Sequence, residues 1–303
     1  MNNPSLVILA AGMGSRYGGL KQIDTVGNNG ESIIDFSIYD AIEAGFKKVY
    51  LIIRQEHEAA FRVALTDKLA GFIDVEFIYQ NMHELPGEFT MPEGRIKPWG
   101  TTHALWACRH QVKEPFMICN ADDYYGKNAF KTMLTFLQSE VSDALYGMVG
   151  YRLDKTLSDS GSVSRGVCQV DAGVLNGVTE WRRIKRENNR IVCSQDELTW
   201  EELDPNALVS MNFWGFTPQV FALAERQLIR FLSDKLVVDP LKCEHVIPTL
   251  IGETLKTESY QVKVMASENT WFGVTYQEDK PYVVEQFARF KIERLYPFDL
   301  WKK

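Results

Sequence analysis

The sequence predicts an α/β protein in which a mainly parallel, mixed sheet is flanked by helices within a single compact domain. Over residues 1–145, short apolar runs alternate with segments of helical spacing, which is typical of βαβ units. Over residues 146–303, strand-like runs predominate, and no linker rich in glycine, serine or proline separates the two halves. We therefore expect one domain over residues 1–303, in which the second half continues the sheet of the first.

The first half contains four strand-like runs of four to six residues, and the first two are continuous apolar runs, as expected of strands buried on both faces. Between these runs apolar residues recur at helical spacing, and Gly45 follows the first helical segment as a natural stop. The predicted strands are 6–11, 49–53, 75–79 and 116–119, and the predicted helices are 32–44, 56–69, 101–111 and 127–138.

The second half has strand-like runs with shorter connections, and helical patterns return towards its end. The predicted strands are 144–151, 166–170, 178–184 and 208–216, and the predicted helices are 218–232, 244–255 and 280–295.

The composition argues against several classes of protein. The formal charge is 33 − 40 = −7, whereas binders of nucleic acids or membrane surfaces usually carry a basic excess, so we expect neither partner. No run of about 18 apolar residues predicts a transmembrane helix, and the first residues lack the positive charges of a secretory signal. The five cysteines form no Cys-x-x-Cys pair, so we expect reduced core thiols in a cytoplasmic protein. The composition leaves a homo-oligomer open.

A glycine-rich loop follows the first predicted strand. Its four glycines fall within eight positions and let backbone amides approach a ligand, while Arg16 and Lys21 add two positive charges. This combination favours a polyphosphate, although an ordinary turn after a strand is the simpler alternative. The loop is not a P-loop, and Tyr17 stands where a dinucleotide-binding fingerprint has its third glycine. The glycines are Gly12, Gly14, Gly18 and Gly19.

Residues 9–16, Leu-Ala-Ala-Gly-Met-Gly-Ser-Arg, followed by Lys21 and Gln22, resemble the signature of the nucleotidyltransferase family, which includes the sugar-1-phosphate nucleotidylyltransferases. The resemblance implies a Rossmann-like nucleotidyltransferase fold, with a nucleotide-binding half over 1–145 and an acceptor-binding half over 146–303. It also implies that Arg16 and Lys21 are catalytic and neutralise the phosphates of a nucleoside triphosphate. The loop residues implied to contact this substrate are Ala10, Ala11, Gly12, Gly14 and Ser15.

The fourth predicted strand leads into two adjacent carboxylates, Asp122 and Asp123. Open α/β sheets bind ligands at the carboxyl ends of their strands, and Mg²⁺ takes carboxylate oxygens together with substrate phosphates. An isolated pair of this kind can equally cap a turn. In the family that the sequence resembles, the first aspartate binds the metal, which implies that Asp122 is catalytic and holds Mg²⁺. Because adjacent side chains of a strand alternate, we expect Asp123 to point elsewhere.

Gly100 and Thr101 precede the third predicted helix. A threonine at this place can cap the helix, whereas the family resemblance implies that both residues lie near the nucleobase. The same resemblance implies that Gln80, at the end of the third predicted strand, reads the base.

The segment between these elements is an irregular insertion, since residues 81–100 include three prolines and three glycines. Irregular insertions of this length in compact domains are usually functional or disordered. We expect residues 81–99 to form a mobile flap over the nucleotide, which would bring the charges of Arg95 and Lys97 near the phosphates.

The second half should bind the acceptor. Glu180 ends a Val-Thr-Glu segment that resembles the family strand whose glutamate binds sugar hydroxyls, and Asn212 resembles the family asparagine that faces the sugar. A hydrogen-bonded polar residue within the sheet is the alternative for Asn212. The familiar Glu-Lys-Pro sequence is absent, so the lysine that meets the sugar phosphate has no counterpart. Arg182, Arg183 and Lys185 are the candidates to replace it.

The family typically carries a Trp-x-Asp-x-Gly-Thr-x-Glu-Asp string near its C-terminus, and its first aspartate is a second metal ligand. Residues 271–279 match the tryptophan and the closing Glu-Asp, but Gly273 stands in the place of that aspartate. We therefore expect Asp122 to be the principal protein ligand, with phosphate oxygens and water completing the coordination.

The resemblance implies transfer of a nucleotidyl group from a nucleoside triphosphate to a sugar-1-phosphate, with release of pyrophosphate and with Mg²⁺ as cofactor. The attacking phosphate oxygen is already anionic, so positioning and charge neutralisation are sufficient for catalysis. Two alternatives remain open: a non-sugar phosphate acceptor, and a nucleotide-binding regulatory protein without turnover. The sequence has no His-Glu-x-x-His motif and no Gly-x-Ser-x-Gly elbow, which argues against a zinc enzyme and an acyl-transfer triad.

Overall fold

The computed structural model describes residues 3–12, 20–267 and 269–302, and an eleven-stranded sheet forms its centre. Two further short strands, β5 and β13, pair with each other away from this sheet. The strands are β1 (Ser5–Leu9), β2 (Lys48–Ile53), β3 (Asp74–Tyr79), β4 (Phe116–Asn120), β5 (Asp123–Tyr124), β6 (Leu145–Arg152), β7 (Val163–Asp171), β8 (Val174–Glu187), β9 (Arg190–Cys193), β10 (Glu201–Leu203), β11 (Leu208–Phe216), β12 (Gln261–Ala266) and β13 (Phe272–Gly273).

Helices cover both faces of the sheet. A π-helical stretch, Arg62–Thr66, joins α2 to α3, and 3₁₀ turns follow the glycine-rich loop at Lys21–Ile23 and the end of α4 at Cys108–His110. The helices are α1 (Ile33–Ala44), α2 (Glu58–Phe61), α3 (Asp67–Leu69), α4 (Thr101–Ala107), α5 (Lys127–Ser139), α6 (Val220–Lys235), α7 (Ile247–Thr254) and α8 (Lys280–Ile292).

The sheet runs without interruption from the first half of the chain into the second, in the order β10-β9-β8-β12-β6-β11-β4-β1-β2-β3. Strands β4, β1, β2 and β3 are parallel, and β11 pairs antiparallel with both β4 and β6. Strand β7 pairs with β11 and β8 off this path. The predicted fold class, a mixed α/β sheet flanked by helices, is confirmed.

Side-chain alternation along β1 explains why both faces of the sheet are covered. Leu6 and Ile8 belong to one apolar cluster, whereas Val7, between them, belongs to another, and all three side chains are fully buried. Because successive residues of a strand point to opposite faces, a continuous apolar run requires apolar layers on both sides.

The sequence missed the strands β5, β9, β10, β12 and β13. β9 and β10 have only four and three residues, and several of these are exposed, so they lack the apolar run on which the prediction relied. No helix among the described residues is long and apolar enough to cross a membrane. All five cysteines are buried and none forms a disulfide, as expected.

The insertion at residues 81–99 does not offer Arg95 to a ligand, so that part of the flap prediction is wrong. The Arg95 guanidinium is buried and donates to the carbonyl oxygens of Pro240 (2.8 Å), Cys243 (2.6 Å) and Pro98 (3.1 Å). It also stacks 3.5 Å above the ring of Trp99, which is fully buried. These contacts tie the insertion to the segment that follows α6.

Candidate active site

Two adjoining cavities lie at the carboxyl ends of β1, β3 and β4. We call the first, of about 220 Å³, the acidic cavity; its wall includes Asp122, Asp123 and Glu180. We call the second, of about 190 Å³, the glycine cavity; its wall includes Gly12 and Gly100. Thr101 lines both cavities and therefore marks their junction.

Most of the residues predicted from the sequence lie on these two walls. Lys21, Asp122, Glu180 and Asn212 line the acidic cavity. Ala11, Gly12, Gln80 and Gly100 line the glycine cavity, and Lys97 lies at its rim in an ion pair of 2.5 Å with Glu244. Ala10 is buried in the core beneath the glycine cavity. The predicted positions Gly14, Ser15 and Arg16 lie outside the described residues.

Lys21 and Asp122 form an ion pair in the wall of the acidic cavity. Lys21 begins the 3₁₀ turn after the glycine-rich loop, and Asp122 follows the end of β4. The Lys21 ammonium donates to Oδ2 of Asp122 and lies 3.3 Å from the carbonyl oxygen of Val274. Both side chains remain partly exposed to the cavity. The pair thus brings together three segments that are distant in sequence.

Asp123 also faces the acidic cavity, so the expectation that it points elsewhere is wrong. The chain turns between β4 and β5, and the alternation of a continuous strand does not apply across that turn. Strand β13 pairs with β5 and places Gly273 directly opposite Asp123. A side chain at residue 273 would overlap Oδ1 of Asp123. The Asp123 carboxyl therefore occupies the space that glycine leaves open.

A short hydrogen-bond chain holds this carboxyl. Asn212 donates through Nδ2 to Oδ1 of Asn120 (3.2 Å), and Asn120 donates through Nδ2 to Oδ2 of Asp123 (2.8 Å). Burial, followed by the neighbouring charge of Asp122, raises the pKa of Asp123 above its usual range. The sequence therefore places two adjacent carboxyls on one wall, in different electrostatic environments.

Asn212 adopts a backbone conformation that non-glycine residues rarely take. Its φ is +59°, at a bulge of β11 where the pairing with β6 shifts between Ser210 and Trp214. Its Oδ1 is buried and has no hydrogen-bond partner among the described residues. Strained residues and unsatisfied polar atoms concentrate at functional sites, and Asn212 combines both features in the wall of the acidic cavity.

Arg165 is the cation of the acidic cavity that sequence reasoning missed. Its guanidinium is buried, donates to the carbonyl oxygens of Thr156 and Ser164, and lies 4.9 Å from the ring centroid of Trp271. Within the described ranges, no carboxylate lies within ion-pair distance of it. The signal in the sequence was its place on β7, where period two puts Arg165 on the same face as buried Val163.

The three cations proposed for this role from the sequence do not line the acidic cavity. Arg183 pairs with Glu197 at 2.5 Å, and Lys185 lies 3.3 Å from Glu187. Arg182 is exposed. Arg165 does line this cavity, and it lies one position before Gly166, the first residue of the β7 segment that pairs with β11.

In the glycine cavity, Gly100 is required by close backbone packing. Its φ is +95°, and a side chain there would overlap the carbonyl oxygen of His245. Thr101 does not cap its own helix: its Oγ1 accepts from the backbone N–H of Ile247 (2.9 Å) at the start of α7. Gly100 and Thr101 thus hold α4 and α7 together at the junction of the cavities.

The donor set suits a hard cation such as Mg²⁺. Within the described ranges, no group of three or more His, Cys, Asp or Glu side chains is placed to hold a metal ion. Mg²⁺ commonly takes only one or two carboxylates, with water and phosphate oxygens as its other ligands. Asp122 and Asp123 supply two such carboxyls on one wall of the acidic cavity, and the space that Gly273 leaves open accommodates the carboxyl of Asp123.

Comparison with known proteins identifies relatives of this chain. A family model described as nucleotidyl transferase matches residues 5–166. No curated protein sequence matches the chain. Among solved structures, an inositol-1-phosphate CTP transferase from T. maritima is similar, with a TM-score of 0.64, 14% identity, and coverage of 96% of this chain and 97% of that one.

Two further solved structures show the same fold. A putative glucose-1-phosphate thymidylyltransferase from Bacillus anthracis, in complex with a sucrose, has a TM-score of 0.61 and 12% identity, and covers 93% of this chain and 94% of that one. A UDP-glucose pyrophosphorylase complexed with UDP-glucose has a TM-score of 0.59 and 14% identity, with coverage of 95% and 99%. At these identities the likeness establishes the fold.

Titration of Glu180 makes the stability of the folded protein depend on pH. Burial raises its pKa to about 7, although the positive charges of Arg165 and Arg182 act in the opposite direction. The folded protein then binds a proton that the unfolded chain releases, so this group's contribution is complete below about pH 4.5 and is lost as the pH rises through about 7.

We expect Glu180→Gln to remove this loss, so the variant should gain stability relative to the unsubstituted protein between about pH 5 and pH 8. Urea unfolding at both pH values measures the difference. Glu187→Gln, exposed on the same strand, is the matched control and should show no comparable trend. A stability difference for Glu180→Gln that is constant with pH would contradict the assignment.

Proposed function

Because the chain belongs to the nucleotidyl transferase family, we propose that it transfers a nucleotidyl group from a nucleoside triphosphate to a sugar-1-phosphate, forming a nucleotide sugar and releasing pyrophosphate. One observation carries the proposal for the acceptor. The acidic cavity combines the buried guanidinium of Arg165, which has no carboxylate within ion-pair distance in the described part of the chain, with the hydrogen-bond acceptors of Glu180 and Asn212 in its wall.

This combination matches a polyhydroxy phosphate ester. Glu180 and Asn212 line the cavity with hydrogen-bond acceptors, among them the buried Oδ1 of Asn212, which has no partner among the described residues, and the hydroxyls of a sugar donate hydrogen bonds. A buried cation is costly unless an anion meets it, and the planar guanidinium of Arg165 suits two oxygens of one phosphate. A ligand with several hydroxyls and one phosphate meets both requirements at once.

The glycine cavity is then the place for the nucleotide. It begins at the carboxyl end of β1, directly before the glycine-rich loop, and Gln80 and Gly100 form its wall beside α4. Backbone amides of a loop between a strand and a helix favour phosphate. With the base against Gln80, the triphosphate would extend past Thr101 towards Lys21.

In this arrangement the protein contributes position and charge. The acceptor phosphate supplies an anionic oxygen, which attacks the α-phosphorus in line with the leaving pyrophosphate, so no protein nucleophile or general base is needed. Lys21 would bridge phosphates from the acidic cavity, and Arg16, through its place in the family signature, would neutralise the leaving group. Both interactions strengthen as charge develops, which is how they lower the barrier.

Mg²⁺ fits this site as cofactor, where it would supply charge neutralisation between phosphate oxygens. Asp122 is the principal ligand in this proposal, since its carboxyl is partly exposed to the cavity. Asp123 is more buried, and one of its oxygens already accepts from Asn120, so it contributes less. The Lys21 ammonium, which donates to Asp122, keeps this carboxyl oriented towards the phosphates.

A non-sugar acceptor is the second candidate, and one comparison favours testing it. The similar T. maritima structure is that of an inositol-1-phosphate CTP transferase, and inositol phosphate is also a polyhydroxy phosphate ester. Arg165, Glu180 and Asn212 suit either ligand.

A panel that pairs each nucleoside triphosphate with several sugar-1-phosphates and inositol-1-phosphate tests the proposal. We expect Mg²⁺-dependent release of pyrophosphate with at least one sugar-1-phosphate. For that pair, Arg165→Met should raise the KM of the acceptor by about tenfold to a hundredfold, because a charge-assisted contact is worth about 1.5–3 kcal/mol. The KM of the nucleotide should change little.

Arg183→Met is the matched control, since this arginine lies on the neighbouring strand and pairs with Glu197. It should leave both KM values unchanged. Nucleotide binding without turnover of any acceptor would favour the regulatory alternative, and turnover of inositol-1-phosphate alone would favour the non-sugar acceptor. An unchanged acceptor KM in folded Arg165→Met would remove Arg165 from the site.

Variants of the two adjacent aspartates should differ in activity and in metal binding. We expect Asp122→Asn to lower kcat/KM on the order of a hundredfold, whereas Asp123→Asn should cost much less. Titration of Mn²⁺ by electron paramagnetic resonance gives a readout apart from activity: metal should bind weakly without nucleotide and more tightly with it, and Asp122→Asn should abolish that gain. Equal losses in both variants, or tight binding of metal to the nucleotide-free protein, would contradict this assignment.

A further inference from the structure

Gln80 uses both of its amide hydrogens within the protein. Its side chain is buried at the end of β3, in the wall of the glycine cavity. The amide nitrogen donates to the carbonyl oxygen of Gly100 (3.1 Å) and to Nδ1 of His103 (3.2 Å). An amide nitrogen carries two hydrogens, so these two contacts leave the side-chain oxygen as the atom that can bind a ligand.

The direction of the bond to His103 follows from the other side of the imidazole. Nε2 of His103 lies 2.8 Å from the carbonyl oxygen of Glu84, which can only accept, so Nε2 carries the hydrogen. Burial lowers the pKa of His103 to about 4, so the ring is neutral near pH 7 and Nδ1 has a free lone pair. His103 therefore accepts from Gln80 and cannot donate to it.

The opposite orientation of the Gln80 amide is excluded by the same two neighbours. Turning the amide by 180° would place its oxygen against the carbonyl oxygen of Gly100 and the lone pair of His103. Two hydrogen bonds would be replaced by two repulsive contacts between acceptors in a buried place, where water cannot compensate for the lost bonds. Gly100 is itself fixed, because α4 packs against His245.

We propose that His103 is a positioning residue that fixes the Gln80 amide with its oxygen available to the nucleobase, so that the site selects a base with an N–H donor on the edge facing β3. The inference rests on the proposed function, because it requires the glycine cavity to hold the nucleotide. It goes further in naming which hydrogen-bonding character the protein presents: an acceptor, without the donor that a freely turning glutamine would also offer.

The fixed orientation of the Gln80 amide makes the site specific for the hydrogen-bonding character of the base edge. A glutamine that can turn pairs with donor or acceptor edges alike, whereas a fixed oxygen leaves an acceptor edge unpaired and desolvated. Sites built around a specific donor–acceptor pair reject mismatched ligands strongly because the buried group then has no partner.

Dissociation constants of the four Mg²⁺-nucleoside triphosphates test the inference by binding alone. We expect His103→Phe, which removes the acceptor, to reduce the ratio between the weakest and the tightest nucleotide by about tenfold. His103→Gln keeps an acceptor in reach and should retain the ratio. Loss of stability alone would lower all four affinities together and leave the ratio unchanged, so thermal unfolding of each variant completes the comparison.

A second measurement uses the unsubstituted protein and remains decisive if His103→Phe does not fold. An analogue of the preferred nucleotide, with every N–H group of the base edge methylated, should bind at least tenfold more weakly than the parent. Equal binding of that analogue, or an unchanged ratio in folded His103→Phe, would overturn the role of His103 while leaving the proposed function intact. Failure of the unsubstituted protein to bind any nucleoside triphosphate would instead reject the proposed function, and the inference with it.

Discussion

The ion pair between Lys21 and Asp122 is the contact on which the arrangement of the site depends. It joins the turn after the glycine-rich loop to the end of β4, and its ammonium also reaches the carbonyl oxygen of Val274. These segments come from three distant parts of the chain, so the pair exists only once β1 and β4 are paired and the C-terminal region has docked. It lies at the carboxyl edge of the parallel strands, where open α/β sheets bind their ligands.

Burial of the carboxyls near this ion pair determines how much negative charge the acidic cavity carries. Burial in the space left by Gly273, together with the negative charge of Asp122, favours the protonated form of the Asp123 carboxyl and raises its pKa, although the hydrogen bond from Asn120 acts in the opposite direction. Burial also raises the pKa of Glu180. Arg165 remains a buried cation without an ion-pair partner among the described residues. The acidic cavity is thus less negative than its three carboxyls suggest, which suits an anionic acceptor.

The sequence predicted those parts of the structure that depend on local pattern. The apolar runs located β1 to β4, and β11 was predicted with the bounds that the structure has. Lys21, Asp122 and Gly100 were found because each lies in a short motif next to a predicted strand or helix. The exposed strands β9 and β10 carry too few apolar residues to be recognised in this way.

The parts that sequence reasoning missed depend on long-range packing. Arg165 enters the site only because β7 pairs with both β8 and β11; alternation with Val163 indicates which face of β7 it lies on, but not that this face borders a cavity. Arg95 looked available for phosphates, but the segment after α6 covers it. The predicted direction of Asp123 failed because a turn separates β4 from β5. Each of these outcomes is decided by residues more than twenty positions away or by backbone geometry that side-chain type does not reveal.

In the proposed function, the nucleotidyl group passes directly between the two cavities that meet at Thr101, without a covalent intermediate on the protein. Exchange of labelled pyrophosphate into the nucleoside triphosphate tests this claim most directly, because a covalent nucleotidyl-enzyme would support exchange without an acceptor. With Mg²⁺, nucleoside triphosphate and labelled pyrophosphate alone, we predict no labelled triphosphate, and with the acceptor added we predict rapid labelling. Labelling in the absence of acceptor would contradict direct transfer.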